Sequence, residues 1–258
     1  MKRTLHLSFS ALLLSIPLLM SHAASIEEGF KPLSNGKDLT GWDGNPKLWS
    51  VQDGVIVGKT GSDPETKITH NTFLVYTNEQ FKNFELRCSF KIQGQGANSG
   101  IQYRSKVVER GPFGPIVAGY QADMETGKTY TGILYEERGR GILAQRGQKT
   151  VIKEVEEEKD GKKSRKTKVE VVGATGKSNE IQANIKPGDW NEYVVIANGN
   201  HLQQFINGMQ TIDVVDEQPS KAAKSGILAL QLHVAPPMTV EFKDMRIKEL
   251  PFLYDKVQ

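Results

Sequence analysis

The sequence predicts an all-β protein, a two-sheet antiparallel sandwich of the jelly-roll kind. Apolar and polar residues alternate with a period of two along much of the chain, turn signals separate the alternating runs, and helical periodicity is scarce. The run Phe84-Glu85-Leu86-Arg87-Cys88-Ser89-Phe90-Lys91-Ile92 alternates throughout, the pattern of a strand with one buried face. Gly94 to Gly100 is a glycine-rich connection leading into Ile101-Gln102-Tyr103-Arg104, and it is expected to let Asn98 and Arg104 meet at one end of a sheet. Tyr193 to Ala197 and Gly226 to His233 are further strands, the second apolar enough to lie centrally. Thr239 to Phe242 and Met245 to Ile247 close the fold. Asn207-Gly208, between His201–Ile206 and Met209–Val214, is a two-residue hairpin signal because both turn positions favour positive φ. Pro187-Gly188-Asp189 is a turn feeding Trp190. Only Pro219 to Lys224 is expected to give a short helical turn.

Positions 1–23 read as a cleavable signal peptide. Lys2 and Arg3 form the positive start, Leu5 to Met20 the apolar core, and Ser21 and Ala23 the small-residue cleavage pattern. The apolar run is short for a membrane span and no charged stop follows it. The remainder, 24–258, is expected to be one jelly-roll domain, exported to the periplasm or beyond, with no membrane span once the signal is removed. The formal charge of +3 is small against 33 basic and 30 acidic residues, which argues against a nucleic-acid partner. Cys88 is the one cysteine, so no internal disulfide can form, and its place among Phe84, Leu86 and Phe90 marks it as a small core residue. Between Val151 and Glu170, 13 of 20 residues are charged. With Asp160-Gly161 at its middle, the segment at about 151–172 is expected to be a solvated charged hairpin insertion.

Candidate chemistry concentrates on two strands. In Tyr120-Gln121-Ala122-Asp123-Met124-Glu125, alternation sends Gln121, Asp123 and Glu125 to one face and Tyr120, Ala122 and Met124 to the other. Gln231 and His233 alternate in the same way against Leu228, Leu230 and Leu232. Two strands with polar residues clustered on one face suggest a polar groove, since such groups are costly to bury without partners. The glycine-rich segment lacks the spacing and the following helix of a dinucleotide loop. There is no HExxH, paired-cysteine or G-x-S-x-G motif. No cofactor is indicated. Carboxylates and carbonyls could hold a divalent metal ion such as calcium, though no EF-hand-like loop is present.

Taken in order, these motifs resemble the 3-keto-disaccharide hydrolase family. The matching residues are Phe30 to Trp42, Asn98-Ser99-Gly100-Ile101-Gln102-Tyr103-Arg104, Tyr120 to Asp123, Thr131 to Tyr135, Gly188 to Tyr193, Ile206-Asn207-Gly208, Gly226 to His233 and Phe242 to Leu250. The family's Tyr-Glu-x-Gln-type strand reads Tyr120-Gln121-Ala122-Asp123 here, which shifts its carboxylate. The resemblance implies a concanavalin A-like lectin/glucanase fold, export, and a carbohydrate partner: cleavage of glycosides oxidised at the sugar 3-position. A C3 ketone acidifies the C2–H, so a base can remove that proton and expel the glycosidic oxygen, with water adding later. The site then needs a base, an acid and enolate-stabilising donors. Asp123 or His233 is expected as base and Glu125 as second acid, with Asn98, Arg104, Gln121, Tyr135 and Gln231 contacting substrate. Ordinary retaining hydrolysis would pair Asp123 with Glu125, but Gln121 replaces the glutamate that opens the corresponding strand of laminarinase-type enzymes. The alternative is a non-catalytic carbohydrate-binding module, in which Trp42, Trp49, Tyr103 or Tyr135 would stack on sugar rings.

Overall fold

Strand alternation puts a hydrophobic stripe on one face of each long strand, and two such faces close on each other. A computed structural model describes residues 27–159, 162–234 and 236–251; the expected signal peptide and the Asp160-Gly161 turn lie outside the described residues. The strands are β1 Lys31–Pro32, β2 Trp42–Asp43, β3 Trp49–Gln52, β4 Val55–Lys59, β5 Thr72–Tyr76, β6 Phe84–Gln93, β7 Asn98–Gly111, β8 Gly114–Glu125 and β9 Leu134–Glu137. They continue with β10 Gly141–Ala144, β11 Gln148–Lys159, β12 Lys162–Ala174, β13 Asn191–Asn198, β14 His201–Ile206, β15 Met209–Asp216, β16 Ile227–Leu232 and β17 Thr239–Glu249. The first sheet runs β12-β11-β15-β14-β13-β6-β17-β4-β3, with β1 beside β17; the second runs β10-β9-β8-β7-β16-β5-β2. All pairs are antiparallel except β11 with β15, where Gln148–Ile152 runs parallel to Ile212–Asp216. This is the predicted all-β jelly roll.

The core lies between the sheets. Leu86, Cys88 and Phe90 of β6, Tyr193 and Val195 of β13, and Val240 and Phe242 of β17 meet Ile101 and Tyr103 of β7, Tyr120, Ala122 and Met124 of β8, and Leu228, Leu230 and Leu232 of β16. Cys88 is fully enclosed, and burial pushes its thiol up to about 12, as expected of a packing residue. Thr239–Glu249 is one strand rather than two, bent at a bulge where Asp244 takes φ +53°.

The charged insertion is the β11–β12 hairpin, and its base belongs to the first sheet. The Pro219–Lys224 stretch makes the expected short turn, with Ala222 N donating to Gln218 O at 2.8 Å, and the α-helix among the described residues is α1, Ser178–Ala183. Only Ile181 of α1 is buried, so it leaves no apolar stripe for periodicity to detect.

Asn207-Gly208 forms the expected turn, with φ of +48° and +81°. The Asn207 amide donates to Asn184 O and Asn191 Oδ1, both at 2.8 Å, and accepts from Glu192 N at 2.9 Å, tying the hairpin to the C-terminal end of α1 and the start of β13. Asn207→Ala removes these bonds and places a less tolerant residue in left-handed backbone. Urea denaturation is expected to show a loss of about 3 kcal/mol.

Candidate active site

On the face of the second sheet turned away from the core, residues from β7, β8, β9 and β16 surround a cleft of about 480 Å³. Asn98, Gln121, Asp123, Tyr135, Gln231 and His233 all line it, so six of the eight expected site residues converge. At its centre Gly100 of β7 is the register partner of Asp123 on β8. A Cβ on Gly100 would stand 2.4 Å from Gln121 Cγ, so the bare backbone is what lets the Gln121 side chain lie across the floor.

Asp123 is held by amides. Asn98 Nδ2 donates to its Oδ1 at 2.9 Å and Gln121 Nε2 to its Oδ2 at 3.1 Å. Gln121 Oε1 accepts from Gln102 Nε2 at 2.5 Å, whose own Oε1 accepts from Ser105 Oγ at 2.9 Å. From Gln121 the network passes to Gln231 Oε1 at 3.5 Å, from Gln231 Nε2 to Glu137 Oε2 at 3.4 Å, and from Asn71 Nδ2 to Glu137 Oε1 at 3.2 Å. Among the described residues, no lysine or arginine lines this cleft. With 5% of Asp123 exposed, burial pushes its carboxyl up to about 7; the two amide bonds oppose this, and the charges of Glu125 and Glu137 add to it. Burial also raises the Tyr135 phenol, helped by the charges of Glu137 and Asp123, so it stays a proton donor at neutral pH. His233 Nδ1 is buried without a hydrogen-bond partner, an unspent polar atom on the wall of the cleft.

Two expected residues lie elsewhere. Arg104 does not meet Asn98: six residues of strand separate them by about 20 Å. Arg104 also takes φ +46° beside a register shift, which breaks the alternation. Its guanidinium donates to the carbonyls of Lys82, Gly199 and Ala223 and to Asn83 Oδ1, clamping three loops. Glu125 stands at the end of β8, where its Oε1 accepts from the backbone N–H of Thr129 and Tyr130 at 2.5 and 2.6 Å. It caps the following loop instead of serving as second acid, which also removes the Asp123–Glu125 pair needed for retaining hydrolysis. Of the proposed stacking residues, Trp42, Trp49 and Tyr103 are buried in the core and cannot meet a sugar; Tyr135 can.

Asn71, Tyr130 and Glu137 were not singled out from sequence. Tyr135 and Glu137 alternate on β9 as Gln121 and Asp123 do on β8, a signal that was available. Asn71 lies just before β5, and the Asn71 and Tyr130 positions have no strand pattern to betray them. Among the described residues, no group of three or more His, Cys, Asp or Glu gathers to hold a metal ion.

The jelly roll and its surface cleft are those of a carbohydrate-acting domain, the class to which the family match assigns the chain. The chain belongs to the family described as the 3-keto-alpha-glucoside-1,2-lyase-like domain, which matches residues 29–248. No curated protein matches it. Two solved structures, both candidate glycosyl hydrolases from Parabacteroides distasonis ATCC 8503, are similar in fold. One is 22% identical, covering 87% of this chain and 95% of its own with a TM-score of 0.50. The other is 19% identical, covering 86% and 99% with a TM-score of 0.48.

Because the carboxyl of Asp123 is raised from 3.8 to about 7, the native state binds its proton more tightly than the unfolded chain. That contribution to stability is complete below pH 4 and is lost as pH rises through 7. Asp123→Asn keeps the shape without the charge. Relative to wild type it is expected to be near neutral at pH 4 and more stable by up to about 4 kcal/mol at pH 8, measured by urea denaturation at the two pH values.

Proposed function

We propose that this protein is an exported enzyme that cleaves 3-keto-glycosides, including 3-keto-disaccharides, by elimination followed by hydration. The observation that carries this reading is Asp123: a buried carboxyl raised to about 7, held only by neutral amides, facing a cleft with a phenol and an unsatisfied imidazole. A base that must take a carbon-bound proton works best when its affinity for the proton is high but it is still ionised at working pH. The family to which the chain belongs supports the same chemistry.

In this mechanism Asp123 removes the C2 proton, and the C–H electron pair becomes the C2–C3 enolate. Donors in the cleft, with Tyr135 and Gln231 the nearest in role, stabilise the oxygen at C3. The enolate then collapses: the C3 carbonyl reforms, a C1–C2 double bond is made and the C1–O bond breaks. His233 protonates the departing oxygen. In the hydration half, water adds its hydroxyl to C1 and gives up a proton to His233, while Asp123 returns its proton to C2. The two halves sum to hydrolysis; stopping after the first would make the protein a lyase. Asn98 and Gln121 orient the carboxyl throughout.

The test uses a 3-keto glucoside with and without deuterium at C2, following release of the leaving group. A primary isotope effect is expected, with kcat/KM rising as pH passes through about 7 and Asp123 ionises. Asp123→Asn should lower kcat by about 10²- to 10⁴-fold. Release without an isotope effect, and without uptake of solvent deuterium at C2, would sink the elimination mechanism. A wild-type protein that is inert on these substrates yet is retarded by oligosaccharides in affinity gels would be a binding module.

A further inference from the structure

We infer that the β9–β10 side of the cleft is a leaving-group subsite shaped for an aromatic aglycone; this deepens, and as a catalytic statement rests on, the glycoside-cleaving reading. The cleft is divided by chemistry. One side carries Asn71, Asn98, Gln121, Asp123, Gln231 and His233, and Glu137 at the end of β9 belongs with them through its bonds to Asn71 and Gln231; the other carries Tyr130, Ile133, Tyr135 and Ile142, whose only polar side-chain atoms are two phenol oxygens. A sugar leaving group presents hydroxyls all round and calls for several side-chain partners. A planar apolar ring calls for what this wall offers.

Tyr130 and Ile142 are 43% and 38% exposed, and what sets them apart from other exposed apolar residues is that they share one wall of the cleft with Ile133 and Tyr135. Their positions are set by the fold. Ile142 on β10 is the register partner of Tyr135, and Tyr135 is the partner of Gln121, so the three form a row across neighbouring strands. Two strand spacings separate the ends of that row by about 10 Å, room for one ring beyond the sugar that Asp123 addresses. Tyr130 comes from the loop after β8, which is braced on several sides. Glu125 accepts from the N–H of Thr129 and Tyr130, while Arg146 donates to Thr131 O at 2.7 Å and Lys128 O at 2.9 Å. Ile133 N donates to Tyr130 O at 3.1 Å. A ring carried on a loop fixed this way is pre-ordered for stacking, so binding does not have to immobilise it. Glu125, displaced from the catalytic roster, has its use here.

The experiment compares wild type, Tyr130→Ala, Tyr130→Phe and Ile142→Ser on two substrates of the same anomeric configuration, 3-keto p-nitrophenyl glucoside and a 3-keto disaccharide. Wild type is expected to favour the aryl substrate in kcat/KM. Tyr130→Ala should reduce the ratio between the two by about tenfold, mainly through KM, with Tyr130→Phe retaining it and Ile142→Ser reducing it less. Equal losses on both substrates, or no change in the ratio, would overturn the subsite. Calorimetric binding of unoxidised p-nitrophenyl glucoside against methyl glucoside separates the two ideas. If neither keto substrate is turned over, the catalytic reading falls. The subsite then stands on tighter, Tyr130-dependent binding of the aryl compound, and falls if the two glucosides bind alike.

Discussion

Asp123 sits within a strand of the second sheet, with the core directly behind it and little of its own surface open to the cleft. A carboxyl in that position can be made comfortable by a cation, which would fix it as a carboxylate, or by amide dipoles, which favour the carboxylate less strongly and here do not outweigh burial. The chain uses amides: Asn98 and Gln121 in contact, then Gln102, Gln231 and Asn71 around them. Three arginines close to this sheet are committed elsewhere. Arg104 serves loop carbonyls, Arg140 is locked into a buried cluster with Glu136 and Asp216, and Arg146 holds the loop after β8. Keeping lysine and arginine out of the cleft is what leaves Asp123 free to exchange a proton near neutral pH.

Such an arrangement needs support from the backbone. Gly100 leaves space over the floor, and the β7–β8 hairpin supplies a wall. Register shifts between Tyr103 and Lys106 and between Val107 and Glu109 bend that hairpin, and its far end leans on β5, where Thr72 Oγ1 donates to Phe113 O and Pro115 O, and on β2, where Arg110 pairs with Asp43. Underneath, Phe73, Val75, Val117 and Ala229 form a second small apolar cluster on the same outer face as the cleft. The face is therefore apolar where the hairpin covers it and hydrophilic where it stays open.

Alternation made the fold and much of the cleft legible. It carried Gln121, Asp123 and Gln231 to the right face because β8 and β16 keep regular register there. It failed at Arg104, where a positive φ interrupts the period, and at Glu125, where the strand ends and the side chain answers to the loop's unpaired N–H groups. Asn71 and Tyr130 lie outside strands, and no rule of period two reaches them. Aromatic identity misled as well: Trp42 donates from Nε1 to Leu33 O and packs edge-on against Tyr76, so a large ring that looked available for stacking is spent in the core.

One poised carboxyl among neutral donors also bears on which glycosidic chemistry suits the cleft. Direct hydrolysis through an oxocarbenium-like transition state develops positive charge at C1 and calls for a second carboxylate to meet it; Glu125 is held off by its loop, and Glu137 is occupied by Gln231 and Asn71. Elimination from a 3-keto sugar develops negative charge on an enolate oxygen instead. That charge is served by neutral N–H and O–H donors, and a carboxylate facing it would be repulsive once ionised. Asp123 avoids the conflict because it has taken up the C2 proton, and is neutral, by the time the enolate charge is greatest. A site with one carboxyl raised to about 7 and ringed by amides, its other carboxylate, Glu137, tied to Gln231 and Asn71, and no lysine or arginine among the described lining residues, suits a reaction in which the base loses its charge as the substrate gains one.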